Sequence, residues 1–249
     1  MGRIEFKGIH KAFGPKVVLA GVDLVVEPGE VFFVIGQSGA GKSVLVKQLV
    51  GLIRPDQGRI FLDDVDITDF TEKQLYDVRK RCAMVFQNST LFDSMTLLEN
   101  VALPIRKHKD VTTAEANRLA LEKLKLVGMA EYQDRYPADF GDGMRKKVAI
   151  ARALTLDPEY VIFDEPTTGI DPISAAMVDK LIRHLADLHG VTSIVISHDL
   201  RSIFGIADRI AMLYKGKLIL DGSRETFKNS QDPIVQQFIT GNPEGPMDV

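Results

Sequence analysis

The residues best suited to chemistry lie in one short run, Gly36-Gln37-Ser38-Gly39-Ala40-Gly41-Lys42-Ser43. Its pattern, G-x-x-x-x-G-K-[ST], gathers backbone N–H groups around phosphate oxygens, because glycines let the chain curl tightly. Lys42 would reach the β- and γ-phosphates of a nucleotide, and the Ser43 hydroxyl would bind Mg²⁺. An apolar run, Val31-Phe32-Phe33-Val34-Ile35, precedes the loop, and a helical pattern from Val44 to Leu52 follows it. Strand, loop and helix together turn the pattern into a phosphate site, to which the positive helix end adds its field.

Further residues narrow the chemistry. Val161-Ile162-Phe163 is followed by two carboxylates, Asp164 and Glu165, at a strand end. Asp164 suits a Walker B role, holding Mg²⁺ directly or through water, and Glu165 is placed to polarise an attacking water. The bland alternative, a pair of solvated acids, loses weight with a phosphate loop upstream. His198 ends the next apolar strand, where α/β sheets gather their ligands, which favours a γ-phosphate contact over a structural histidine. Gln87 ends the strand Cys82 to Phe86; its amide either senses Mg²⁺ or the attacking water, or is a plain loop side chain. Phe13 lies in a β-region ahead of the phosphate loop, where its ring either stacks on a purine or joins the core.

The elements that must position these groups alternate. Ile4 to Phe6 and Val17 to Val26 read as strands, broken at Gly14-Pro15 and at Pro28-Gly29. Arg59 to Leu62, Cys82 to Phe86, Tyr160 to Phe163 and Ser193 to Ile196 are further strands, and Lys215-Gly216 turns a hairpin. Helical patterns run from Ser174 to His189 and from Pro233 to Ile239. Alternation of this kind argues an α/β fold on a parallel sheet. The stretch from about 95 to 153 is mainly helical and reads as an inserted subdomain, with a loop around Tyr136 to Gly143. Within it Glu115 to Val127 is amphipathic, with Leu119, Leu121, Leu124 and Val127 near one side. Residues from about 240 to 249 read as a tail.

Bulk properties bound the rest. A chain of 249 residues can bury a full core. Its net charge of −3 gives no reason to expect nucleic acid as a partner. One cysteine, Cys82, cannot build a disulfide framework, so a reducing compartment and a buried thiol are expected. No apolar run approaches the roughly 18 residues of a membrane helix, so any membrane role is expected to come through a partner.

In this order and spacing, the motifs resemble the ATP-binding subunit of ABC transporters over nearly the whole chain. The resemblance implies an α/β P-loop cassette of one nucleotide-binding domain, with a parallel-sheet core, an N-terminal antiparallel β-subdomain and the helical insert. It makes Phe13 the aromatic of the A-loop, Gly36 to Ser43 the Walker A loop and Gln87 the Q-loop. Asp164 and Glu165 become Walker B and its catalytic glutamate, Gly169-Ile170-Asp171 the D-loop and His198 the switch histidine. It implies ATP and Mg²⁺, the metal held by Ser43, Gln87 and Asp164, and catalysis by Glu165, His198, Gln87 and Lys42.

The chain departs from the family at the signature motif, L-S-G-G-Q or L-S-G-G-M. The matching residues are Phe140-Gly141-Asp142-Gly143-Met144, ahead of Arg145-Lys146-Lys147. In the family two subunits pair head to tail, and this motif closes on the ATP held by the opposite Walker A loop. Gly141 has no hydroxyl to donate, and Asp142 adds a carboxylate. Two unit charges about 5 Å apart, at an effective dielectric of about 20, repel by roughly 3 kcal/mol. A slow or weakly closing ATPase, or one that needs its full complex to work, is therefore expected.

Leu75 to Arg81, Leu91 to Thr96 and Glu99 to Pro104, with Met144, Asp171-Pro172-Ile173 and the C-terminal residues, resemble the Mla/Mce-type phospholipid-transport ATPases. That implies a homodimer on the cytoplasmic face of a bacterial inner membrane. It also implies membrane permease subunits, an Mce-domain lipid-binding protein and a small accessory protein. Exposed apolar residues between Leu91 and Pro104 are expected to form a groove for a helix of the permease. The alternatives are another importer, a cell-division ATPase, or a regulatory module that binds ATP and barely hydrolyses it.

Overall fold

The structure is a computed structural model and describes residues 3–247. It begins with an antiparallel hairpin, β1 (Ile4–Phe13) and β2 (Lys16–Val26), turned at Gly14-Pro15. After β3 (Val31–Ile35) and helix α1 (Lys42–Leu49), the chain adds β4 (Gln57–Leu62) and β5 (Val65–Asp66) to that hairpin, in the order β2-β1-β4-β5. The first strand is longer than expected. Register shifts between Phe6 and Ile9 let it bend and keep pairing with β2 to its end.

The second sheet holds six strands in the order β10-β9-β3-β8-β7-β6. Helix α2 (Glu72–Arg81) leads into β6 (Cys82–Val85), and β7 is Tyr160–Asp164. Then come β8 (Thr192–Ile196), β9 (Arg209–Tyr214) and β10 (Lys217–Gly222). All neighbours pair in parallel except the β9–β10 hairpin. Every residue of β3, β7 and β8 is buried. The apolar runs within them, residues 31–35, 160–163 and 194–196, show no alternation, as a parallel sheet covered on both faces requires.

One face carries α1 and the four-stranded sheet, around Phe6, Leu19, Phe32 and Leu45. The other carries α6 (Pro172–His189), α7 (Leu200–Ile206), α8 (Arg224–Lys228) and α9 (Pro233–Thr240), around Phe33, Phe163, Ile182 and Phe227. Each such large apolar side chain contributes about 1.5–3 kcal/mol by burial. Between β6 and β7, helices α3 (Leu97–His108), α4 (Thr113–Leu126) and α5 (Asp142–Ala153) enclose a third apolar cluster.

Details depart from expectation in that third cluster. The buried stripe of α4 is Ala116, Ala120 and Leu124, and Leu121 lies outside the cluster, because α4 faces its neighbours along an i, i+4 row of small residues. Between residues 91 and 104, Leu97, Val101 and Ala102 are fully buried. Phe92 stays exposed, and Pro104 lines a hollow of about 180 Å³ with Met84, Phe86 and Ala153. Residues 240–246 of the expected tail are exposed, and only its last described residue packs. Met247 is buried, and its N–H donates to Gln237 Oε1 at 2.7 Å. Asp248 and Val249 of that expected tail lie outside the described residues. Among the described residues, no helix is long and apolar enough to cross a membrane.

Candidate nucleotide-binding site

The loops after β3, β6, β7 and β8 leave the same edge of the six-stranded sheet, because these strands are parallel. That edge is where open α/β sheets bind ligands. A cleft of about 430 Å³ opens there, lined by Phe13, residues 38–39 and 41–44, Gln87, Glu165 and His198. Phe13 is 50% exposed and so is no core residue; it stands at the rim with the Lys11 ammonium 5.4 Å from its ring centre.

The phosphate loop is pressed against its neighbours. Gly36 has φ 139° and a Cβ there would overlap the Leu213 carbonyl oxygen of β9. Gly41 has φ 101°, and a Cβ would lie 2.9 Å from the Val18 carbonyl oxygen of β2. Both positions need glycine, for conformation and for space. Gly41 also caps α1 with no side-chain hydrogen bond, so the helix's first N–H groups face the cleft unsatisfied by a cap.

Lys42 is only 7% exposed, and its Nζ donates to the carbonyls of Gly36 at 2.8 Å and Gln37 at 3.0 Å. Burial holds its pKa below the ordinary lysine value, while Glu165 and Asp164 oppose that shift. The ammonium thus folds back over the loop it belongs to, where a phosphate would replace the carbonyls. Ser43 Oγ donates to Asp164 Oδ1 at 2.8 Å, and Lys47 Nζ lies 3.7 Å from Asp164 Oδ2. A hydroxyl, a carboxylate and the nearby Gln87 amide make an all-oxygen donor set that fits Mg²⁺, a hard cation that keeps several waters and phosphate oxygens as ligands. Among the described residues no group of three or more His, Cys, Asp or Glu side chains could hold a metal by itself.

Glu165 follows β7 with φ 54°, a strained conformation for a non-glycine residue, and its N–H is held by the Ile196 carbonyl at 2.9 Å. Its Oε2 accepts from Thr168 Oγ1 at 2.9 Å and lies 2.9 Å from His198 Nδ1. His198 itself is exposed, on the loop between β8 and α7. Glu165 lines the cleft, and its other carboxylate oxygen, Oε1, has no hydrogen bond from a described residue.

The signature-like residues lie elsewhere. Gly141, Asp142, Gly143 and Met144 line a separate hollow of about 250 Å³ with residues 169–171 and Ser174. The fold does not bring them to the phosphate loop of the same chain. Gly141 is the N-cap of α5, so the helix starts inside the motif rather than after it. Asp142 occupies the first turn, where a carboxylate is favoured by the helix dipole. It is exposed and pairs with Arg145 Nη2 at 2.6 Å.

Three contributors went unnoticed in the sequence. Thr168 and Lys47 touch the carboxylates just described. Lys146 is only 3% exposed and its Nζ donates to the backbone carbonyls of Gln87 at 3.0 Å and Glu165 at 2.9 Å. The one available signal was a lysine three residues past Gly143 in a glycine-rich helix start, which by itself reads as a solvated cation.

A parallel sheet, a glycine loop capping a helix, and a serine hydroxyl on a strand-end aspartate define a P-loop nucleotide-binding protein. The family model for ABC transporters matches residues 19–168. The chain belongs to that family, as an ATP-binding cassette with its ATPase activity. It is 37% identical over 244 residues to the probable ribonucleotide transport ATP-binding protein mkl of Mycobacterium leprae, covering 98% of this chain and 70% of that protein. It is 38% identical over 244 residues to the intermembrane phospholipid transport system ATP-binding protein MlaF of Haemophilus influenzae, covering 98% and 92%. A dimeric, post-hydrolysis structure of the cassette MJ0796 bound to ADP and Pi superposes with a TM-score of 0.81 at 28% identity, covering 88% of this chain and 98% of that one.

Proposed function

We propose that this chain powers a transporter that moves phospholipid between the inner and outer membranes of a bacterium. The observation that carries the substrate is the match to MlaF across 98% of this chain and 92% of that protein. Two copies pair on the cytoplasmic face of the inner membrane and drive permease subunits there. An Mce-domain lipid-binding protein and a small accessory protein complete the assembly.

The roles follow from the cleft. Phe13 stacks on the adenine. Gly36, Gln37, Ser38, Gly39, Ala40 and Gly41 cradle the phosphates with backbone N–H groups, and Lys42 turns from its two carbonyls to the β- and γ-phosphates. Ser43, Asp164 and Gln87 would hold Mg²⁺, which would supply charge neutralisation at the phosphates. Glu165, oriented through Oε2 by Thr168 and His198, uses its other oxygen to align the attacking water. His198 contacts the γ-phosphate. Gly141, Asp142, Gly143 and Met144 of the second copy close over the same nucleotide. Asp142 slows that closure, to an extent that its pairing with Arg145 reduces.

The test is to purify the chain with the membrane proteins it assembles with, and to identify bound molecules by mass spectrometry. Bound phospholipid, and lipid flux lost in Glu165→Gln, are expected. The likeness to mkl favours a second reading, transport of ribonucleotides. Bound nucleotides without phospholipid, or ribonucleotide-stimulated ATP turnover, would replace the lipid by that substrate.

A further inference from the structure

An ammonium buried like that of Lys146 is rare unless it is partnered, because it gives up its hydration on leaving water. Here both partners are backbone carbonyls, those of Gln87 and Glu165. They belong to two different loops, one after β6 and one after β7. The same helix holds the first of these loops again further along. Arg152 of α5 donates to the carbonyls of Ser89 at 3.3 Å and Thr90 at 3.0 Å, and to Thr90 Oγ1 at 3.0 Å. The loop of Gln87 is therefore gripped from α5 at two points, and one of those grips is shared with Glu165.

We infer that Lys146 is a positioning residue, which ties the first turns of α5 to the backbone of both Gln87 and Glu165. Its consequence is mechanical. The start of α5 carries residues 141–144, which under the proposed pairing meet the nucleotide of the second copy. A tilt of α5 on that contact is passed by a single side chain to the carboxylate of its own chain. Glu165 is reached by this, because its left-handed backbone is held by its N–H on Ile196 and by its carbonyl, which accepts from Lys146 at 2.9 Å and more weakly from the Thr168 N–H at 3.4 Å. The inference rests on the reading of Glu165 as the residue that aligns water.

The test compares Lys146→Met, which fills the space without a charge, with Lys146→Arg, which restores donors to the two carbonyls. In the full chain within its membrane assembly, Lys146→Met should lower kcat for ATP roughly 10- to 100-fold, the scale of a catalytic group displaced by about 1 Å. KM for ATP should stay within about threefold, because the phosphate loop is untouched. Lys146→Arg should recover most of the loss. Amide hydrogen exchange in the nucleotide-free protein should accelerate over residues 87–90 and 165–168 in Lys146→Met, and not over α1. That measurement needs no ATP turnover, so it separates this inference from the assignment of Glu165. The inference is overturned if Lys146→Met leaves kcat within about twofold of the parent. It is equally overturned if exchange accelerates throughout α5 and its apolar cluster, which would make the lysine a packing residue. If Lys146→Met fails to fold, Lys146→Gln, which reaches one carbonyl, takes its place under the same criteria.

Discussion

Residues 36–43 and residues 140–144 are both glycine-rich turns opening a helix, yet they are held in opposite ways. The phosphate loop hangs from a fully buried strand and is pressed against β2 and β9, so a side chain at Gly36 or Gly41 meets backbone. The signature-like turn has open space at Gly141 and a single side chain, Ser174, next to Gly143. The first is complete within one chain, its lysine already resting on carbonyls that mimic phosphate oxygens. The second is an exposed edge whose role depends on what docks against it. The difference teaches that pre-organisation belongs to the half-site that binds, and openness to the half-site that must close and release.

The largest effect is expected where the loops of the sheet edge converge. Glu165→Gln should cut steady-state ATP turnover roughly 10²- to 10⁴-fold, the usual worth of a positioned general base. ATP binding, measured by equilibrium titration, should survive; an unaltered rate would remove Glu165 from the chemistry. Next comes Gly36→Ala. A left-handed φ costs about 1–3 kcal/mol and the overlap with the Leu213 carbonyl adds to it, so urea denaturation should show a large loss and nucleotide affinity should fall. A stable, ATP-binding Gly36→Ala protein would break the contrast between the two turns.

Gly143→Ala is the matched change in the other region. The new Cβ would lie 2.7 Å from Ser174 Oγ and 2.8 Å from Ser174 Cβ, so the hydroxyl can turn away but α6 must give slightly, and the stability loss should be about 1–2 kcal/mol, below that of Gly36→Ala. A loss equal to that of Gly36→Ala would show the signature-like turn to be as constrained as the phosphate loop. Smallest in stability is Gly141→Ser, where the open N-cap should gain a few tenths of a kcal/mol, about 0.3. Combined with Asp142→Gly, it should raise turnover of the intact assembly severalfold. That is well below the roughly 100-fold that an unscreened repulsion of about 3 kcal/mol would give, since Asp142 is exposed and paired. No gain would mean that the altered motif does not slow closure.

Much of the candidate site was legible because it follows single strands. Lys42, Ser43, Asp164, Glu165 and His198 each stand a fixed step from an unbroken apolar run, and a parallel sheet brings strand ends to one edge. Phe13 and Gln87 were ambiguous in sequence, since a ring or an amide has the same neighbours along the chain in either role. Exposure at the cleft rim takes Phe13 out of the core, and the shared strand edge places Gln87 on the same cleft. The burial of α4 on alanines rather than on Leu121, and of Met247 on Gln237, depended on which faces meet, which periodicity alone does not specify.

What the sequence determined by itself is the chemistry a single segment can carry: a phosphate loop, a strand-end aspartate with its neighbouring glutamate, and a signature-like motif with a carboxylate out of place. Those are statements about residue type and local spacing, which survive whatever the rest of the chain does. Only the tertiary structure decided that Lys146 leaves solvent to join two loops, that Thr168 and His198 share one oxygen of Glu165, and that Asp142 turns to Arg145. These contacts join residues from separate strands and loops, or depend on which way a helix faces. Their energies come from burial and from partners that exist only once the sheet and the helices have closed around them.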